Sequence, residues 1–336
     1  MSKKVVALIG ALDTKGAEYK FLKEQIEANG AGTFIIDTSV FEPTVLVPDV
    51  PAEEVVLAGG SSLRELREKK DRGFSMKVMS NGAASVAKKL YEQGKFGGVI
   101  SMGGGGGTTV GTAAMRALPI GVPKLMVSTI ASGDTSNYVA ESDILMMPSI
   151  VDIAGINRFS AMILSNAAGS IAGMVNAKRA ENIENKPLIA ATMFGVTTPC
   201  VTRAKEVLES AGYEVLFFHA VGSGGKTMEE LIRGGYIEGV LDMTTTELAD
   251  ELVGGILSAG PNRLEAAGNA GIPQVVSAGA LDMVNFGPMD SIPEKFKARL
   301  LVSHNPMNTL MRTTVEENKK LAEIIAEKLN KARGKT

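Results

Sequence analysis

Residues 101–115 read Ser-Met-Gly-Gly-Gly-Gly-Gly-Thr-Thr-Val-Gly-Thr-Ala-Ala-Met, so that Gly103, Gly104, Gly105, Gly106 and Gly107 run directly into Thr108 and Thr109. Glycine loses more backbone freedom on folding than any other residue, so five ordered in a row call for a reason. The apolar stretch at 97–102 reads as a buried strand, and residues 108–118 read as a helix with Thr108 or Thr109 as its N-cap. A glycine turn at that junction lets main-chain N–H groups approach a ligand with no Cβ between them. The unpaired N–H groups and the dipole of the helix then favour an anion, phosphate above all. The competing reading is a tight turn that lets helix and strand pack closely, which accounts for two glycines more readily than for five.

Other polar turns follow apolar runs, where ligands bind at the carboxyl ends of strands in open parallel sheets. Asp13, Thr14 and Lys15 follow the first run. Lys15 could meet phosphate as a point charge or be a surface lysine of a first helical turn. Asp37 ends the second run, where a carboxylate can meet a ribose hydroxyl or serve a cap or turn. Ser128, Thr129, Ser132, Gly133, Asp134, Thr135 and Ser136 form a dense hydroxyl loop. Its one carboxylate, Asp134, suits Mg²⁺ or an Asx turn. Asp152 could be a second metal or substrate carboxylate, or the N-cap of the following helix. Thr197 and Thr198 follow the strand at 187–195, and His219 ends another strand before Gly-Ser-Gly-Gly-Lys-Thr. That turn fails the P-loop spacing, because the required first glycine position is Ala220. His219 could act as general acid or base or be structural. Asp242, Thr244, Thr245, Thr246 and Glu247 form a second hydroxyl–carboxylate cluster, and Ser277, Asp282, His304, Asn305 and Arg312 complete the candidates.

These turns need elements to hold them, and the chain supplies two similar sets. Gly-Val-Ile-Ser-Met at 98–102 is echoed by Gly-Val-Leu-Asp-Met at 239–243, and Gly-Val-Pro-Lys-Leu-Met-Val-Ser at 121–128 by Gly-Ile-Pro-Gln-Val-Val-Ser at 271–277. Residues 3–37 and 186–219 each read strand, turn, helix, glycine stop, strand. Apolar runs alternating with amphipathic helices imply βαβ units. The expected fold is α/β, with two similar Rossmann-like doubly wound domains and mainly parallel sheets, at 1–180 and 187–336. The polar stretch 177–187 forms the boundary between them. The Pro-rich segment 40–60 reads as extended chain and a short helix, with helices following near 61–70 and 74–93. The C-terminal helix opens on a capping box, Thr313 or Thr314 with Glu316 or Glu317.

The 336 residues carry a net charge of −2, which gives no electrostatic support to a nucleic-acid partner. No apolar run is long enough to suggest a membrane span. The single cysteine, Cys200, excludes an internal disulfide framework and fits a reducing, cytoplasmic setting.

At these residues the sequence resembles the uncharacterised protein family that shares the ATP-binding domain of the tomato mosaic virus resistance protein. The resemblance rests on "GALDTKGAE", "GGVISMGGGGGTT", "GVPKLMVSTIASGDTSNYV", "VDIAGINRFS", "FGVTTPCV", "FFHAVGSGGKTMEELI", "LDMTTTELADELVGG", "AGPNRLEAAGNAGIPQVV" and "HNPMNTLMRTT", in family order along nearly the whole chain. It implies two Rossmann-like subdomains, nucleotide binding with Mg²⁺, and a homodimer. ATP contacts are expected from Asp13-Thr14-Lys15, Gly103–Thr109 and Ser132–Thr135. Relatives often carry serine where Gly105 stands, and they continue beyond the final helix with a segment expected to complete the second subdomain.

The expected function is a cytosolic ATP-binding protein with Mg²⁺ on Asp134, acting on a small metabolite at a cleft between the halves. Asp152 and His219 would be the catalytic groups, and Lys15, Lys124, Arg158 and Arg312 would neutralise charge. The alternative is a non-catalytic nucleotide sensor or partner-binding module. A dinucleotide-dependent oxidoreductase is disfavoured, because Gly-Ala-Leu-Asp-Thr-Lys-Gly lacks the Gly-x-Gly-x-x-Gly pattern.

Overall fold

The first apolar runs become strands buried on both faces, as parallel sheets covered by helices require: β1 (Val5–Gly10) and β3 (Gly98–Gly103) are buried almost throughout. The computed structural model describes residues 4–42, 45–178 and 184–336. The chain divides into two units, one ending at Glu181 and one beginning at Asn182. Within the expected boundary stretch, residues 179–183 lie outside the described residues.

The first unit runs β1, α1 (Leu12–Ala28), β2 (Gly32–Asp37), α2 (Ala52–Ala58), α3 (Leu63–Lys69), α4 (Arg72–Glu92), β3, α5 (Gly105–Arg116), β4 (Lys124–Ser128), α6 (Ser136–Val139), β5 (Leu145–Pro148) and α7 (Arg158–Asn176). Its five parallel strands lie in the order β2-β1-β3-β4-β5. One face is covered by α1 and α7, whose Leu22, Ile26, Leu164 and Ile171 meet Val6, Leu8 and Ile100 of the sheet. The other face is covered by α2 to α5 through Val55, Leu66, Val78, Ala83, Val110 and Met115. The sheet is therefore doubly wound, and the order reverses between β1 and β3.

The second unit repeats the plan with β6 (Leu188–Met193), α8 (Thr198–Ser210), β7 (Glu214–His219), α9 (Ser223–Arg233), β8 (Gly239–Asp242), α10 (Thr246–Val253), α11 (Ala266–Ala270) and β9 (Gln274–Val276). Its parallel sheet is ordered β7-β6-β8-β9, the same second-first-third-fourth arrangement as the first unit. Beyond the expected plan, β10 (Met283–Phe286), β11 (Leu301–Asn305) and β12 (Asn308–Arg312) form an antiparallel sheet in the order β10-β12-β11. The chain closes with α12 (Val315–Asn330), opened by a Thr314–Glu317 capping box.

One boundary differs from expectation. Helix α5 begins at Gly105 with Gly104 as its N-cap, so neither Thr108 nor Thr109 caps it. Their hydroxyls instead donate back to the carbonyls of Gly104 and Gly105, each at 2.8 Å, the bond that a Ser or Thr already inside a helix makes to residue i−4. Three of the five glycines thus form the first helical turn.

Candidate functional site

Strand order 2-1-3-4-5 places its switch point between β1 and β3, the place where open α/β sheets bind ligands at the carboxyl edge. Tyr19 of α1 ties the two strands there. Its hydroxyl donates to the Ile9 carbonyl at 2.6 Å and accepts from the Met102 amide at 3.1 Å. Burial pushes this phenol up to about 12, so it stays neutral. A Cβ on Gly10 would stand 1.9 Å from the Tyr19 oxygen, which explains that glycine by packing alone.

The same test separates the five glycines of the β3–α5 turn. A Cβ on Gly103 would lie 2.8 Å from the Gly107 Cα, and one on Gly107 would lie 3.1 Å from the Met102 carbonyl oxygen. Close packing of strand on helix accounts for these two. At Gly104 the nearest atom is the Thr129 hydroxyl, at 3.5 Å; at Gly106 it is the Met76 sulfur, also at 3.5 Å; at Gly105 nothing lies within 4 Å. None of the five has a positive φ. Neither conformation nor packing within the protein requires glycine at 104, 105 and 106. No side chain caps α5, and the first amides of a helix have no partner inside it. Thr108 is buried beneath, its hydroxyl 2.7 Å from that of Ser128 at the end of β4.

The flanking turns are partly committed to the fold. Thr14 is exposed, while the Lys15 ammonium donates to the Ile153 carbonyl. Asp13 Oδ2 accepts from the amides of Val40 and Phe41 at 3.3 and 3.1 Å, and its Oδ1 is buried with no partner. Asp37 serves its turn, not an open ribose subsite. It is buried, burial raises its carboxyl above the usual range, and its Oδ1 accepts from the amides of Leu12 and Ser39.

Past β4, Ser132, Gly133 and Asp134 are exposed and Thr135 is half-buried. Asp134 Oδ1 accepts from the Ser136 amide at 2.9 Å, an Asx turn. Hydrogen bonds from the Ser136 hydroxyl and amide hold this carboxyl below its usual range, so it is ionised at neutral pH. Asp152 is exposed and accepts from the Ile153 amide at 2.8 Å. It caps no helix, because Asn157 caps α7 in a capping box with Ser160. Among the described residues no group of three His, Cys, Asp or Glu could hold a metal ion. A Mg²⁺ carried by phosphates needs only one or two carboxylates, which Asp134 or the unpartnered Asp13 oxygen could supply.

Lys124, expected to neutralise charge, does not reach this edge. It opens β4 at the opposite end of the strand, fully buried, bonding the Pro119 carbonyl at 2.7 Å and pairing with Asp143. A cation that no sequence pattern singled out stands beside the turn instead. Helix α4 brings Arg72 and Met76, four residues apart, against α5. A Cβ on Gly106 would lie 3.6 Å from an Arg72 guanidinium nitrogen. Arg72 is exposed and has no ion pair or hydrogen bond among the described residues. Sequence carried no signal for it, since only the packing of α4 on α5 makes it a neighbour.

In the second unit the expected cluster is structural. Asp242 and Glu247 are buried around Arg263, to which the sequence assigned no catalytic or binding role. Its guanidinium bonds both Asp242 oxygens, at 2.5 and 2.7 Å, and Glu247 Oε2 at 2.7 Å, with Glu229 at 3.6 Å. Glu247 Oε1 also accepts from the amides of Gly222 and Gly225, at 2.7 and 3.1 Å. The glycine turn that opens α9 is thus an anion site already filled by the protein's own carboxylate. His219 is exposed and stacks on Phe194, ring centroids 5.5 Å apart. Arg158 is exposed, packed over the Phe159 ring, and Arg312 pairs with Asp282 at 3.3 Å across the antiparallel sheet.

The chain belongs to the uncharacterised protein family UPF0261: residues 4–180 match its N-terminal domain and residues 186–336 its C-terminal domain. A UPF0261 protein of Clostridium tetani is 57% identical over 336 residues, spanning 100% of this chain and 83% of its own length. The tomato (Solanum lycopersicum) ToMV resistance protein Tm-1(GCR237) is 44% identical over 347 residues, 97% of this chain and 46% of the tomato protein. Among solved structures, the UDP-GlcNAc 2-epimerase of Methanocaldococcus jannaschii, in complex with UDP-GlcNAc and UDP, matches 98% of this chain and 94% of its own at 11% identity and a TM-score of 0.27. No helix among the described residues is long and apolar enough to cross a membrane.

Proposed function

We propose that this UPF0261 member binds ATP through its first unit, with the phosphates on the amides of Gly104–Gly107 and the hydroxyls of Thr109 and Ser132–Thr135 around them. One observation carries the reading: Gly104, Gly105 and Gly106 open an uncapped helix at the β1/β3 switch point, where nothing in the protein itself requires glycine. Backbone that must lie against phosphate does require it. The second unit supports this by contrast, because the glycine turn that opens α9, after its own second strand, is closed by Glu247.

Asp134, with the free oxygen of Asp13, would hold Mg²⁺. Bound MgATP would supply a transferable phosphoryl group whose charge the metal screens. The chain's own part is to orient the phosphates and to shield them. A cytosolic enzyme acting on a small metabolite is the form of this function that we favour.

The test is thermal unfolding with ATP, ADP and no nucleotide, each with and without Mg²⁺, on wild type and Gly105→Val. Ligand held at this turn raises the wild-type midpoint by mass action and leaves the folded variant where it was. A wild-type midpoint unmoved by saturating nucleotide overturns the reading. Release of phosphate with a metabolite pool present separates an enzyme from a sensor.

A further inference from the structure

We infer that Arg72 is the phosphate-binding cation of this site, in the place that a P-loop gives to a lysine. The inference rests on the ATP reading above and goes beyond it by naming the charge that closes the anion site from a different helix. Phosphate held only by main-chain amides keeps most of its charge unneutralised, and two lysines that the sequence suggested for neutralising it are engaged elsewhere. Lys15 bonds the Ile153 carbonyl and Lys124 is buried against Asp143. Arg72 has no ion pair or hydrogen bond among the described residues, and its guanidinium stands 3.6 Å from where a Gly106 Cβ would be.

The arrangement is held from below. Met76, one turn along α4, lies 3.5 Å from where a Gly106 Cβ would be, so the packing of α4 on α5 holds both side chains beside the turn. The carboxylate that caps α4 does not draw Arg72 away: Asp71 Oδ1 accepts from the Phe74 amide at 3.0 Å and makes no pair with Arg72. A planar guanidinium presents paired donors that match two phosphate oxygens. A side chain longer than alanine at Gly106 would crowd the Arg72 guanidinium, which stands 3.6 Å from the Cβ position.

The test compares wild type, Arg72→Gln, Arg72→Lys and Gly105→Val by calorimetric titration with MgATP and, separately, with inorganic pyrophosphate. Arg72→Gln is expected to weaken both about ten- to hundred-fold, the range for losing a charge-assisted hydrogen bond. Arg72→Lys recovers part of the loss, and the ligand-free unfolding midpoint stays at the wild-type value because the side chain has no partner to lose. If Arg72→Gln binds both probes as wild type does while Gly105→Val does not, the role of Arg72 is overturned and the glycine site stands. If wild type binds neither probe, the ATP reading falls and this inference with it. A drop of several degrees in the ligand-free midpoint of Arg72→Gln makes the residue structural and also overturns the inference.

Discussion

Replacing Gly105 with alanine should stabilise the empty protein and weaken its hold on nucleotide. Gly105 is the first residue of α5, has no positive φ, and an added Cβ would meet nothing within 4 Å. An alanine placed without strain removes freedom from the unfolded chain and adds about 0.4–1 kcal/mol of stability. At about 2–4 °C per kcal/mol for a unit of this size, the midpoint rises by about 1–4 °C. The same methyl group occupies the space that a phosphate at the first helical amides must use. Wild type at a hundred times the dissociation constant gains about 2.7 kcal/mol from ligand, and a tenfold loss of affinity removes about 1.4 kcal/mol of that. Differential scanning calorimetry with and without MgATP reads both effects on one sample. The two midpoints should approach each other from opposite sides. A variant that is stabilised and still shows the full ATP shift refutes the phosphate cradle. A destabilised variant refutes the steric account of Gly105.

The packing sets three further outcomes. Burial pushes Asp250 up to about 6 from 3.8. A raised carboxyl means that the folded state holds its proton longer, so stability falls as pH rises from about 4 through 6, by on the order of 3 kcal/mol for about two units. Urea denaturation should show Asp250→Asn matching wild type below pH 4 and exceeding it at pH 7, the Asn285 amide turning to accept. Replacing Arg263 with leucine leaves Asp242 and Glu247 buried without their cation. It should cost at least about 3–5 kcal/mol, seen as loss of the second unit's cooperative unfolding. Tyr19→Phe strips partners from the Ile9 carbonyl and the Met102 amide and should cost about 1–3 kcal/mol by denaturant midpoint. An unchanged midpoint there would mean that water replaces the hydroxyl.

Local pattern fixed much of the architecture before any coordinates. The continuous apolar runs at 5–10 and 98–103 had to be strands covered on both faces, and the helical periods between them had to be crossovers. The repeated phrases at 98–102 and 239–243 implied two similar sheets, which the two matching strand orders bear out. The antiparallel sheet of β10 to β12 was not legible, because its strands are short and lie in irregular chain with no regular spacing.

Sequence by itself also determined where an anion site could be, since only a run of glycines between a strand and a helix exposes so many main-chain amides. It could not say which glycines serve packing. That depends on Gly103 meeting Gly107 and on Gly105 facing open space, distances set by the seating of α5 on the sheet. Nor could it assign the charges. Asp242 and Glu247 read as a site until burial placed them around Arg263, 21 and 16 residues away in sequence. Nothing in the sequence singled out Arg72, which only the packing of α4 on α5 lays beside Gly106. A side chain's chemistry belongs to the sequence, but whether its charge is spent inside the protein or left for a ligand is decided by which neighbours the fold supplies.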